Sequence, residues 1–193
     1  MILSGLKIAE EVEAGHIEIS DFCPSRIGPN SYNLRLADKL YTYDTEESYI
    51  LHDSDGVRNV KRHTPLDMRK EPPKLIEHQI PEEGLVVKPG RLYLGSTVEY
   101  TATGKYVPML EGRSSVGRLG LFIHVTAGFG DIGFKGNWTL EIACLQPIRI
   151  YAGVEIGQIY FHTIEGAFVP YLSKKYLDST GVVGSRLYMD FED

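Results

Sequence analysis

Residues 111–120 combine positive charge, hydroxyl groups and flexible backbone in one short segment, Glu-Gly-Arg-Ser-Ser-Val-Gly-Arg-Leu-Gly, which we call the arginine-serine segment. The guanidinium groups of Arg113 and Arg118 can hold phosphate oxygens with paired donors, and Ser114 and Ser115 add hydroxyl and backbone N–H donors. The Gly-x-x-x-x-Gly-Lys order of a nucleotide-binding P-loop is absent. The segment therefore indicates either an anion site of another kind or a Gly/Ser turn with two solvated arginines.

Four glycines surround one aspartate, Asp131, in residues 127–136, which we call the aspartate loop. Because glycine lets the backbone turn tightly and approach a bound molecule, we expect a hairpin that can contact a ligand closely. Main-chain N–H and C=O groups could read a planar base there.

The strand that follows the aspartate loop carries a glutamate, Glu141, on the side opposite its apolar residues. Side chains alternate between the two faces of a strand, so two sets are predicted. These sets are Trp138, Leu140 and Ile142 on the apolar face, and Asn137, Thr139 and Glu141 on the polar face. On spacing alone, Glu141 is either a functional carboxylate or a solvent-facing residue of an antiparallel strand.

Residues suited to bind a metal ion are sparse. His16-Ile17-Glu18 matches half of the zinc nucleobase deaminase signature, but the Pro-Cys-x-x-Cys half is absent. Cys23 and Cys144 are the only cysteines and form no Cys-x-x-Cys pair. We expect no metal bound by protein side chains, a surface or helix-end position for His16, and a reducing compartment.

Length and composition place these motifs in one globular domain, residues 1–193. The chain is 42% hydrophobic and 24% charged, enough to bury a core without disulfides. Lys and Arg number 20 against 26 Asp and Glu, a formal net charge of −6, which argues against nucleic acid as a partner. No run approaches the roughly 18 apolar residues of a membrane span, and no signal peptide is evident, so the expected location is cytoplasmic.

The chain begins with one predicted helix. Ser4 can cap it, and Gly15 ends it. Its apolar positions, which roughly follow one face, are Leu6, Ile8, Ala9 and Val12.

Short strands separated by Gly/Pro turns predict a mostly β fold after that helix. Alternation in residues 29–36 predicts a half-buried strand, and residues 53–74 read as a polar excursion with weak strand content. Further strands are predicted at 84–100, 106–112, 119–128, 134–144, 147–153 and 154–164. The architecture is therefore a sandwich, jelly roll or barrel, with residues 170–193, the C-terminal segment, as a flexible closing flap.

Taken together, GRSSVGRLGL at 112–121, HVTAGFGDIGFKGNWTLE at 124–141 and EIGQIYF at 155–161 closely resemble the dCTP deaminases of the dUTPase superfamily. MILSG at the start, PNSYNLRL at 29–36 and the tyrosines and lysine of the C-terminal segment fit that family too, and the resemblance is weakest over 45–80. It implies a distorted jelly roll that forms a homotrimer with active sites where subunits meet. It also implies deamination without zinc, and Mg²⁺ bound through the substrate triphosphate.

The resemblance assigns roles to four residues. Glu141 matches the catalytic glutamate, a general base toward water that then carries the proton to the leaving amino group. Ser114 and Arg118 match residues beside the reacting edge of the pyrimidine. Asp131 matches an aspartate that binds deoxyribose and helps to activate water against the α-phosphate.

A larger set is expected to bind the nucleotide without taking part in the chemistry. Arg113 and Ser115 fall in the phosphate-contacting part of the arginine-serine segment. Gln158, Tyr171 and Lys175 match the base- and triphosphate-binding positions of the second strand pair and the closing C-terminal segment. The full predicted substrate-binding set is Arg113, Ser115, Val116, Gly117, Thr139, Leu140, Gln158, Tyr171 and Lys175. The ligands implied are dCTP, dUTP and, as a feedback inhibitor, thymidine triphosphate.

Three residues depart from the family pattern. Asn33 stands where aspartate is usual and removes a charge. Gly130 replaces a common isoleucine, which we expect to loosen the aspartate loop, and Ser179 replaces a glutamine that would contact phosphate.

Gly128 and Phe129 resemble the branch of the family that also removes pyrophosphate and gives dUMP. A small residue at 128 would leave space for a second water near Asp131. The run His124-Val125-Thr126, however, recurs in the branch that stops at dUTP. We expect the dUMP-forming activity, with dUTP release as the alternative and a non-catalytic nucleotide-sensing trimer as a minor one.

Overall fold

The computed structural model describes residues 1–53, 56–173 and 175–192. Within these residues the chain forms thirteen strands, two α-helices and two 3-10 turns. The α-helices are α1 (Gly5–Glu13) and α2 (Ser114–Gly117), and the 3-10 turns are Pro24–Arg26 and Leu187–Asp190. The first seven strands are β1 (Glu18–Ile19), β2 (Tyr32–Arg35), β3 (Lys39–Tyr43), β4 (Glu46–Asp53), β5 (Gly56–His63), β6 (Leu75–Gln79) and β7 (Leu85–Val87). The others are β8 (Tyr93–Ala102), β9 (Val107–Gly112), β10 (Leu121–Phe122), β11 (Lys135–Cys144), β12 (Ile148–Ile150) and β13 (Glu155–His162).

Two antiparallel sheets organise the molecule. The larger sheet has the strand order β10-β11-β8-β3-β6, with β1 also paired to β8. The smaller sheet has the order β2-β13-β9, while β12–β7 and β4–β5 form separate pairs. The prediction of a mostly β chain is confirmed.

One hydrophobic core joins the two sheets. The larger sheet contributes Leu40 and Ile142, and the smaller sheet contributes Leu34, Ile159 and Phe161, all less than 1% exposed. The predicted alternation of β2 is confirmed, because Tyr32 and Leu34 are buried while the intervening residues are half-buried. Apolar burial of this kind contributes about 25 cal/mol per Å² and is the main stabilising term.

Helix α1 begins where the sequence predicts, but its buried face differs. Ser4 caps it by accepting a hydrogen bond from the amide of Lys7 at 3.2 Å. Ile8 is fully buried, whereas Leu6 is 77% exposed, so the predicted apolar face is wrong at Leu6. The helix instead places Gly5 against the Gly28 carbonyl, where no side chain would fit.

Two strand predictions were also wrong in extent. The predicted strand at 119–128 is only the two-residue β10, because the chain beyond it bonds to β9 as a loop. The polar residues 53–74, expected to have little strand, contain β5, which pairs with β4 along its whole length. Backbone pairing in a hairpin does not require an apolar face. The polar composition of residues 53–74 therefore led to too low a prediction of their strand content.

A buried carboxylate ties β8 to β2. Glu99 has no exposed surface and accepts hydrogen bonds from the Arg35 side chain at 2.6 Å and the Arg35 amide at 2.8 Å. Arg26 lies 3.2 Å from the same carboxylate. The hydrogen bond that Arg35 donates to Glu99 raises the pKa of the Arg35 guanidinium. A buried charge is tolerated when it is paired and hydrogen-bonded in this way.

A second cluster holds the end of α1. Glu11 is 5% exposed and contacts Lys105 at 2.8 Å, Lys7 at 3.0 Å and the His16 ring at 2.7 Å. Hydrogen bonds from Lys105 and Lys7 hold the pKa of Glu11 well below its usual range. His16 thus lies at the helix end with its ring on a carboxylate. In the described part of the chain, no helix is long and apolar enough to cross a membrane.

We predict that Glu99→Gln destabilises the protein by about 2–4 kcal/mol, because it leaves two partly buried arginines without their counter-charge. Urea denaturation followed by far-ultraviolet circular dichroism measures the change. The matched control is Glu77→Gln, which removes an exposed pair with Lys39 (2.9 Å) and should change stability little. Equal effects of the two substitutions would contradict the assignment.

Candidate active site

A cavity of about 490 Å³ lies over one face of the larger sheet. Its floor is the polar face of β11, with Asn137, Thr139 and Glu141, and its walls come from the aspartate loop, residues 66–72 and the C-terminal segment. The predicted residues that line it are Phe129, Asp131, Thr139, Glu141 and Tyr171. The structure thus brings the two predicted catalytic carboxylates to one cavity.

Strand alternation places Glu141 as predicted. Residues 136, 138, 140, 142 and 144 of β11 are buried, and residues 137, 139, 141 and 143 are half-buried. Glu141 is registered opposite Leu94 of β8, and its amide donates to the Ile123 carbonyl at 2.7 Å. Among the described residues, its carboxylate has no hydrogen-bond partner. The carboxylate is therefore held by the strand and left available to a ligand.

A register shift in β11 adjusts the floor of the cavity between Asn137 and Thr139. The Asn137 side chain donates to the Thr97 carbonyl at 3.1 Å, and Trp138 donates its indole N–H to the Thr101 hydroxyl at 2.9 Å. These bonds fix the strand on both sides of the irregularity. Bulges commonly re-aim a side chain in this way.

The aspartate loop is attached to β9 by backbone hydrogen bonds. The Leu110 amide donates to the Gly128 carbonyl at 2.8 Å, and the Gly130 amide donates to the Pro108 carbonyl at 3.0 Å. A tight turn follows, closed by the Phe134 amide on the Asp131 carbonyl at 3.1 Å. Asp131 therefore stands exposed at the turn, facing the cavity.

Close packing, rather than open space, explains two glycines of this loop, Gly128 and Gly130. A Cβ on Gly128 would lie 2.4 Å from the Leu110 carbonyl oxygen and 2.7 Å from the His124 ring. The expected room for a second water beside Gly128 is therefore filled by protein atoms. A Cβ on Gly130 would lie 2.4 Å from the Trp138 ring, so this residue packs the loop tightly instead of loosening it.

His124 is a feature of this region that the sequence did not single out as functional. Its Nε2–H donates to the Leu110 carbonyl at 2.9 Å, which leaves Nδ1 buried and without a partner among the described residues. Residues 66–72 were missed as a cavity wall as well. They supply Asp67 and Lys70, and their polar, proline-containing sequence carried no signal of a site.

The arginine-serine segment lies outside the cavity. Arg113 precedes α2 and is bound to Glu155, 3.0 Å from its carboxylate and 3.1 Å from its carbonyl oxygen. Asn33 donates to the same carboxylate at 3.0 Å, so its amide has a structural use. Ser114, Ser115, Gly117 and Arg118 are exposed, and Val116 packs partly against the core.

Gln158 and Leu140 also do not line the cavity. Gln158 accepts from the Ser31 hydroxyl at 3.0 Å and donates to the Gly112 carbonyl at 3.4 Å, which supports the arginine-serine segment from β13. The side chain of Leu140 is in the core, 1% exposed, so a ligand could meet only its backbone. A single chain therefore separates the predicted site residues into two groups.

The described part of the C-terminal segment lies along β11 and covers the cavity. The Tyr171 amide donates to the Ile132 carbonyl at 2.7 Å, and Ser179 pairs with Gly136 and accepts from the Asn137 amide at 2.9 Å. Further along, the Ser185 amide donates to the Tyr43 hydroxyl at 2.8 Å. The segment lines the cavity in this structure, and its role as a flexible closing flap stays a prediction.

The charge of the cavity is predominantly negative among the described residues that line it. Asp67, Asp131 and Glu141 contribute carboxylates, whereas Lys70 contributes one ammonium group, which lies 3.5 Å from Asp67. An anionic ligand therefore requires positive charge from elsewhere.

We predict that Gly128→Ala destabilises the protein by about 1–3 kcal/mol, because the added methyl group meets a backbone carbonyl that cannot move away freely. Gly104→Ala is the matched control, since nothing lies within 4 Å of its Cβ position. Urea denaturation of both variants measures the difference. If both alanine variants were equally stable, the close packing of the aspartate loop would be refuted.

The chain is similar to known proteins over most of its length. A family model described as dCTP deaminase-like matches residues 2–164. A protein of Hathewaya histolytica named "dCTP deaminase, dUMP-forming" is 55% identical over 192 residues, covering 100% of both chains. A Cytophaga hutchinsonii protein of the same name is 53% identical over 192 residues, covering 100% of this chain and 99% of its own.

A solved structure supports the fold independently. The crystal structure of 2'-deoxycytidine 5'-triphosphate deaminase from Agrobacterium tumefaciens superposes with a TM-score of 0.58 at 21% identity. The match covers 84% of this chain and 48% of that chain, so this chain spans about half the length of the Agrobacterium tumefaciens protein. At that identity the likeness concerns the fold alone. Because the family model spans most of the sequence and close relatives match it from end to end, the chain belongs to the dCTP deaminase-like family.

Proposed function

We propose that the protein deaminates dCTP hydrolytically and carries the product on to dUMP and pyrophosphate. The observation that carries this proposal is the placement of Glu141 and Asp131 in one cavity, on a chain more than half identical to relatives named for that reaction. Two carboxylates in one site can serve two successive hydrolytic steps.

Glu141 performs the first step. Its carboxylate takes a proton from water, the resulting hydroxide adds to C4 of cytosine, and the proton passes to the amino group, which leaves as ammonia. Closure by the C-terminal segment limits access of bulk water to the cavity. Ser114 and Arg118 of a second copy of the chain orient the water and the tetrahedral intermediate.

Asp131 serves the second step. It holds the deoxyribose and directs a second water toward the α-phosphate, so that the bond to the β-phosphate breaks and pyrophosphate leaves. Mg²⁺ neutralises the phosphates when bound. The phosphate oxygens of the substrate would hold this ion, because Mg²⁺ prefers oxygen ligands and is usually bound together with substrate phosphates.

A second copy of the chain completes the site. The cavity lining is net negative, whereas the exposed donors of the arginine-serine segment lie outside the cavity of the same chain. A triphosphate needs both, which we propose a homotrimer of distorted jelly-roll subunits provides. Val125 and Phe129 are 75% and 67% exposed, and a neighbouring copy would cover them.

We place the enzyme in the cytoplasm, in accordance with its two free cysteines, Cys23 and Cys144. Burial raises the pKa of the Cys144 thiol and keeps it in the unreactive thiol form.

Incubation of dCTP with Mg²⁺ is expected to yield dUMP and pyrophosphate together, without early accumulation of dUTP, when products are separated by ion exchange. Glu141→Gln should lower the deamination rate by about 10²–10⁴-fold, because the amide cannot accept the proton. The exposed Glu83→Gln is the control. Accumulation of dUTP would support the alternative enzyme that stops there. Nucleotide binding without turnover in the native protein would support the sensing trimer.

Mixing two inactive variants tests whether sites are shared between subunits. Glu141→Gln supplies an intact arginine-serine segment, and Arg118→Met supplies an intact glutamate. Co-refolded in equal amounts, they should regain about a quarter of native activity, since that fraction of shared sites would be intact by chance. Each variant refolded alone should stay inactive. No recovery in the mixture would mean that each site is built from one chain.

A further inference from the structure

The C-terminal segment contains a carboxylate that is ion-paired with a lysine predicted to bind the substrate. The Lys175 ammonium group is ion-paired with Asp190, and Arg186 donates to the Lys175 carbonyl at 2.5 Å. Lys175 is 22% exposed in its side chain and Asp190 is 52% exposed. The pair thus lies at the surface, where a dissolved anion can reach it.

The same segment also donates hydrogen bonds to side chains on the polar face of β11. The Val183 amide donates to the Thr139 hydroxyl at 3.1 Å, and the Gly181 amide donates to the Asn137 side chain at 3.3 Å. Two predicted nucleotide contacts, Thr139 and Lys175, are therefore engaged by groups of the protein itself. A backbone N–H fills one position and a carboxylate fills the other.

A carboxylate and a phosphate offer the same chemistry to a lysine, namely an anionic oxygen acceptor. A Mg-bound triphosphate presents several such oxygens, whereas one carboxylate presents a single charge. Asp190 can therefore be displaced from Lys175 by a polyphosphate more readily than by a monophosphate.

We propose that Asp190 is a built-in competitor of the substrate triphosphate for Lys175. This inference rests on the proposed function. The ion pair disfavours binding of nucleoside monophosphates at Lys175, whereas the triphosphate displaces Asp190 from Lys175. After pyrophosphate has left, Asp190 regains Lys175 and favours release of the monophosphate product. Asp190 is thus a specificity-determining residue that never touches the reacting atoms.

Asp190→Asn tests this proposal, because it keeps the size of the side chain and removes its charge. We expect the KM for dCTP to fall about two- to fivefold, the range for loss of an exposed ion pair, with little change in kcat. Product inhibition by dUMP should strengthen at the same time. Isothermal titration with inorganic tripolyphosphate and Mg²⁺ should show tighter binding, which requires no catalysis.

Asp178→Asn is the matched control. Asp178 is another exposed carboxylate of the C-terminal segment, paired with Lys135 at 3.2 Å and not with Lys175. It should leave the KM, the dUMP inhibition and the tripolyphosphate affinity unchanged.

A double variant separates competition from general loosening of the segment. In a Lys175→Met background, Asp190→Asn should have no further effect on KM or on tripolyphosphate binding. A KM that rises in Asp190→Asn, or an equal effect with and without Lys175, would overturn the proposal. Absence of dCTP deamination in the native protein would instead count against the proposed function, and the tripolyphosphate titration would still test Asp190.

Discussion

The strand β11 is the structural constraint on which the cavity depends. Its pairing with β8 buries Trp138, Leu140 and Ile142 in the core, and the same alternation forces Thr139 and Glu141 to the opposite face. A slip of one residue would bury the glutamate and expose the core residues. The energy that holds the core together therefore also positions the proposed general base.

The other parts of the site are attached to β9 and β11, largely through backbone groups. The aspartate loop bonds to β9 through Gly128 and Gly130, and the C-terminal segment bonds to β11 through Ser179 and Val183. Backbone contacts place Asp131 accurately without committing its side chain. The hydrophobic core cluster contains no described residue of the C-terminal segment, so these bonds attach the segment to β11 without making it part of that core.

Charge is distributed between two surfaces of the chain. Carboxylates line the cavity, and the cationic and hydroxyl donors of the arginine-serine segment are exposed elsewhere, steadied by Glu155 and Gln158. This division keeps the carboxylates of the cavity apart from Ser114, Ser115 and Arg118, which are exposed. Assembly, in our proposal, is what combines them around the nucleotide.

The local sequence pattern by itself determined several elements of the fold and the family of this protein. Period-two alternation identified the faces of β2 and β11, Ser4 marked the start of α1, and long ordered motifs indicated the family. Tertiary structure decided what depends on distant neighbours. The strand predicted at 119–128 is limited to β10 in the structure, and residues 66–72 form part of the cavity wall. Gly128 packs against the Leu110 carbonyl. These outcomes arise from contacts between residues far apart in the chain, which local periodicity and composition do not encode.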